Sequence, residues 1–262
     1  MEKKYNNERK NIVKHLLFIL AILVALNILF LFLNEKNNLN NETTDFFSTN
    51  LETKFFSNTN GTLIELKVPA IDTNGKGVTT ILSVESVKGS GKTLVDIENL
   101  LFWADTQQSI RMARYVAGNI TGKNLDNYDL IYSVKIKNAS LIGGPSAGAA
   151  ITIATIFALE GKKPKENVVI TGTINHDGSI GPVSEIIEKA KAAKKSGAEL
   201  FLVPISQSYD VGYESTEHCQ KFGTTEICSN ETRLKKINVS EEAGIKVIEV
   251  ENINQALQYF ES

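Results

Sequence analysis

Few residues in this chain can make and break covalent bonds, and their spacing narrows the chemistry open to them. Gly144-Pro-Ser-Ala-Gly148 satisfies G-x-S-x-G, a pattern that sets a serine on a sharp turn leading into a helix. At such a turn Ser146 has unpaired N–H groups and the positive end of a helix dipole beside it, and both stabilise an oxyanion. The backbone around Gly144, Pro145, Ser146 and Ala147 is where those donors are expected. A hydroxyl nucleophile also needs a base. The histidines are His15, His176 and His218, and neither His176 nor His218 falls where a sheet strand would end. Lysine is the other candidate, provided burial disfavours its charged form. On a helix over 184–196, Ile186, Ala190 and Ala193 form an apolar stripe, and Lys189 lies at its edge. Lys194 also falls near the stripe, in the last turn, where a cation suits the helix dipole. Spacing puts Lys189 ahead of Lys194 but leaves plain readings open. A glycine-rich helix start with serine near the cap and a lysine snorkelling from a helix edge would look the same.

Other signals are negative. Gly89-Ser-Gly-Lys-Thr93 resembles the end of a phosphate-binding loop, but the first glycine of that pattern would fall on Ser86, so it reads as a tight turn between strands. Two cysteines exclude a four-cysteine zinc site, and H-E-x-x-H is absent, so no metal or other cofactor is expected. With 28 Lys+Arg against 30 Asp+Glu and a net charge of −2, no cationic excess is available for a nucleic-acid backbone.

The elements that must position Ser146 and Lys189 read as one α/β domain with a mixed sheet. Strands are expected over 62–69, 79–87, 93–97, 130–136, 167–173, 200–204 and 245–250. Helices are expected over 105–119, 145–159, 184–196 and 253–260. Residues 206–242 read as a polar, irregular insert carrying Cys219 and Cys228. Ahead of the domain, residues 1–15 carry a local charge of +3, and 16–33 hold eighteen residues with Asn27 the sole polar side chain. That run spans roughly 27 Å, enough to cross a bilayer, and no small-residue cleavage site follows it. Basic residues before the span place the N-terminus in the cytoplasm, with the linker 34–60 and the domain 61–262 outside. Six N-x-[ST] sequons and a cysteine pair nine positions apart agree with that side of the membrane.

The block from Leu141 to Pro204, containing GGPSAGAAITIATIFALEG and VVITGTINHDGSIGPVSEIIEKAKAAKKSGAELFLVP, resembles the proteolytic domain of Lon proteases. The likeness extends more loosely from about Gly61 to the C-terminus. It implies the Lon proteolytic fold, related to the second domain of ribosomal protein S5. It also implies a Ser-Lys dyad at Ser146 and Lys189, with Thr171 helping to orient the lysine amine. The activity implied is that of a serine endopeptidase, here independent of ATP because no ATPase module is seen, acting on unfolded or flexible peptide segments. Membrane-anchored, ATPase-free archaeal Lon-like proteases are the nearest in kind, and the family assembles as hexamers. Two family positions depart: an acidic residue that some archaeal members place three before the serine is Gly143, and one two after the threonine is Thr173. Two readings from other classes are a catalytically silent binding or scaffold protein of this fold and an α/β-hydrolase acting on esters, which would need His176 or His218.

Overall fold

In the computed structural model, residues 61–96, 104–135 and 144–261 are described. The predicted basic N-terminus, membrane span and linker, residues 1–60, lie outside them. Among the described residues no helix is long and apolar enough to cross a membrane.

Two sheets form. The larger has the order β1-β2-β4-β3 and is built from β1 (Thr62–Ile71), β2 (Gly77–Lys88), β3 (Thr93–Val95) and β4 (Tyr128–Lys135). β1–β2 and β2–β4 are antiparallel and β3–β4 is parallel, so this sheet is mixed as expected. The smaller, of order β11-β8-β5, is wholly parallel and comprises β5 (Val168–Ile170), β8 (Leu200–Pro204) and β11 (Lys246–Val250). The single mixed sheet read from the sequence is therefore two sheets. A two-residue ladder, β6 (Thr173–Ile174) with β7 (Ile180–Gly181), interrupts what looked like one strand over 167–173.

Side-chain alternation in the parallel sheet divides the interior. Val168, Ile170 and Leu202 join the core around helix α2 (Gly148–Glu160), while Val169, Phe201 and Val203 join the core around α3 (Ile186–Lys195). Helix α2 is buried from Gly148 through Leu159, apolar on all sides as a central helix must be. It packs against α1 (Ala104–Thr121) and against β1 and β2, and it stops at Gly161 in the left-handed conformation. Helix α3 lies on β1 and β2 as well; the Lys67 amine donates to the Ser196 carbonyl and the Thr79 hydroxyl to the Ala192 carbonyl. The serine helix and the lysine helix thus occupy opposite faces of one small parallel sheet and share the β1–β2 hairpin as a wall.

The stretch 206–242 is not irregular. β9 (Tyr209–Phe222) and β10 (Thr225–Asn238) pair throughout as a long hairpin, followed by the short helix α4 (Val239–Ala243); α5 (Ile253–Phe260) ends the chain after β11. Every residue from Tyr213 to Lys236 is exposed, so neither face of this hairpin carries the buried alternation by which a strand is read. Cys219 and Cys228 stand directly opposite each other in its register and are joined as a disulfide.

Candidate active site

Ser146 is the middle residue of a 3₁₀ turn, Pro145–Ala147, that runs straight into α2. The expected helix over 145–159 therefore begins as a tighter turn, which leaves the serine half-buried at its edge. Gly144 enters the turn at φ +123°, a conformation that disfavours any Cβ. The turn is clamped to the segment leaving β5. The Ser146 carbonyl accepts from the Gly172 N–H at 2.9 Å and from the Thr171 hydroxyl at 3.2 Å, and the Ala149 N–H donates to the Gly172 carbonyl at 3.0 Å. Gly148 completes the fit, because a Cβ there would lie 2.9 Å from the Ile174 backbone nitrogen. The serine turn is thus fixed just beyond the carboxyl end of a parallel strand, the usual place for ligands in α/β sheets.

Two of the expected assignments change in this geometry. Pro145 has no N–H, and its carbonyl accepts from the Gly148 N–H, so of the four expected residues Gly144, Ser146 and Ala147 alone carry an N–H that an oxyanion could use. Thr171, fully buried, gives its hydroxyl to the serine's own carbonyl; no hydrogen bond joins it to Lys189 among the described residues. Its hydroxyl is on the Ser146 side of the cleft.

Lys189 is 3% exposed, whereas Lys194 is exposed. Helical geometry put both near the apolar stripe; the β1–β2 wall covers one and not the other. Burial pulls the Lys189 amine down from 10.5 to about 8, opposed by the nearby Glu185 carboxylate. Ser146 and Lys189 line one cleft of about 400 Å³. Val68, Pro69, Ala70 and Ile71, four consecutive residues of the edge strand β1, form part of its wall. Side chains alternate along a strand, so consecutive lining residues mean that the strand's backbone edge faces the cleft. Sequence reasoning missed Glu185, which also lines the cleft and stands where the helix was expected to have begun already.

His176 and His218 are elsewhere. Exposed His176 borders a separate pocket with Asp177 and Glu251, and His218 is on the hairpin, 3.7 Å from Glu231. Among the described residues no histidine reaches the serine cleft, which removes the base an α/β-hydrolase would need. The glycine turn 89–93 is filled from within, its Ser90 and Lys92 N–H groups donating to the Asp129 carboxylate at 2.9 and 2.7 Å. These bonds, that of Lys92 first, hold the Asp129 carboxyl below its usual range.

Residues 79–222 match the family model of the Lon protease (S16) C-terminal proteolytic domain, and the chain belongs to that family. It is similar to Lon protease 2 of Bacillus subtilis (strain 168), 30% identical over 155 residues, covering 55% of this chain and 25% of that protein. It is also similar to the Archaeal Lon protease of Methanothermobacter thermautotrophicus, 32% identical over 94 residues, 36% of this chain and 14% of the relative. The mitochondrial Lon protease homolog of Drosophila melanogaster is 34% identical over 67 residues, 26% of this chain and 6% of its own length. The chain thus spans a quarter or less of each of these relatives.

Proposed function

We propose that this protein is a serine endopeptidase in which Ser146 is the nucleophile and Lys189 the base. The observation that carries the reading is a lysine buried to 3% exposure, with its amine at about 8, lining the same cleft as a serine on a helix-start turn. The neutral amine takes the Ser146 proton as Oγ attacks the peptide carbonyl. The remaining amides of the turn hold the oxyanion, and the Lys189 ammonium returns the proton to the departing amine. Water, deprotonated by the same amine, then releases the acyl group and regenerates the serine. The edge of β1, unpaired among the described residues, suits an extended segment laid alongside as an added strand, so the substrate is an unfolded or flexible stretch of protein. Hydrolysis by this route needs no nucleotide, and the loop 89–93 spends two of its amides on Asp129. A serine-directed fluorophosphonate tests the site. It is expected to modify Ser146 in the wild-type chain and to modify Lys189→Met far more slowly. Uptake at another serine, or none by protein that cleaves peptides, would overturn the assignment; no uptake and no cleavage would favour the scaffold reading.

From the apolar run over 16–33 and the basic residues before it, we also propose that this segment crosses a membrane with the protease domain on the extracytoplasmic side. The Cys219–Cys228 disulfide suits an oxidising compartment. In a Cys219→Ser, Cys228→Ser chain carrying Asn40→Cys, an impermeant maleimide should label intact cells. Labelling only after lysis would reverse the orientation.

A further inference from the structure

Among the described residues, the cleft around Ser146 is lined by two ionisable side chains, Lys189 and Glu185. Glu185 is exposed and holds φ +57° and ψ +41°, left-handed backbone that a residue with a Cβ seldom adopts. Apart from glycines, it shares that property among the described residues with Ser206 alone. Glycine would take this backbone without strain, so the carboxylate occupies the position at a cost in backbone conformation, a pattern that clusters at functional sites. The carboxylate does no structural work that would explain it. It makes no cap bond to the helix it precedes, and no hydrogen bond or ion pair holds it among the described residues.

Once Lys189 is in its neutral form, above about pH 8, Glu185 is the one formal charge lining the cleft among the described residues. We infer that Glu185 determines specificity, selecting a peptide with a cationic side chain, lysine or arginine, beside the scissile bond. The inference rests on the Ser146–Lys189 reading for where that bond lies. Glu185 also acts through space on the Lys189 amine, which puts the carboxylate within range of the reacting groups. Charge pairs at a solvent-exposed position are worth little, and partial enclosure by the cleft raises their value, so a preference of about fivefold to tenfold is expected.

The test uses peptides identical except for lysine, norleucine or glutamate at one position, scanned across both sides of the cleavage point. At one position the full-length wild-type chain is expected to favour lysine over glutamate by that factor in kcat/KM, with norleucine between. Glu185→Gln and Glu185→Gly, the second free of backbone strain, should bring the ratio to within about twofold. Glu185→Asp should keep most of it, and Glu185→Lys should invert it. Equilibrium binding of the same peptides to the Ser146→Ala chain at pH 9, where the Lys189 amine is neutral, reads the preference without hydrolysis. Failure of the dyad reading therefore shows as cleavage by Ser146→Ala, while charge selection is still measured. A preference that survives Glu185→Gln and Glu185→Gly, or its absence at every position, overturns the inference.

Discussion

Ser146→Ala is expected to lower peptide hydrolysis by at least about 10³-fold, because a nucleophile and its base act as a unit and the residual rate comes from binding and oxyanion contacts alone. The fold should persist, since one half-buried hydroxyl contributes only about 1 kcal/mol. Lys189→Ala should fall as far, and Lys189→Arg should not rescue, because a guanidinium stays protonated and takes no proton. Lys194→Ala, at an exposed position, should keep most of the activity. The rate should climb with pH and level off above about 8, since the neutral amine is the active form and burial sets its pKa there. Thr171→Val separates two roles. Its hydroxyl holds the Ser146 carbonyl, so kcat should drop roughly tenfold, within the range for one misplaced catalytic group, while the pH at half-rise stays put. Steady-state kinetics across pH on the full chain measures all of these. Wild-type turnover by Lys189→Ala, or an absolute need for His176 or His218, would rule the dyad out.

The base should also weaken the fold. The Lys189 amine titrates near 8 in the folded chain against 10.5 for an ordinary lysine, so between those values the unfolded chain binds more protons. Stability attributable to this residue therefore rises with pH from about 8 to about 10.5. Below about 8 the penalty is complete, at about 3 kcal/mol. Lys189→Met keeps the length of the side chain and removes the charge. It is expected to raise the melting temperature at pH 7 by about 5–10 °C and to be inactive. The gap between wild type and variant should close as pH approaches 10. Calorimetry at pH 7 and pH 10 decides it; a Met variant less stable than wild type at pH 7 would mean that Lys189 is not held at a cost.

How much of this could be read from the chain alone depends on where each signal resides. Local rules were enough for the helix ends at Gly161 and Gly197, for the apolar strand 200–204, and for a serine at the mouth of an apolar helix, because turn chemistry and periodicity belong to neighbouring residues. The family likeness within 141–204 nominated Ser146 and Lys189 by spacing. The hairpin over 209–238 escaped because its strands bury neither face, so alternation had nothing to mark. The division into two sheets escaped because pairing partners lie far apart in sequence: β8 takes β5 on one side and β11 on the other.

At the site itself, the residue types were legible and their environments were not. Helical periodicity set Lys189 and Lys194 both near the apolar stripe of α3. Which amine loses its water depended on the β1–β2 wall folding over one of them, a contact spanning more than a hundred residues. Thr171 was visible as a polar residue closing a buried strand, yet its bond to the Ser146 carbonyl exists because the segment after β5 docks on the serine turn. Glu185 looked like the first turn of a helix, and its left-handed backbone appears once the chain has turned from β7 into α3 beside the cleft. Spacing along the chain can nominate a nucleophile and a base; burial, which lets the amine shed its proton at a lower pH, is a property of everything packed around it.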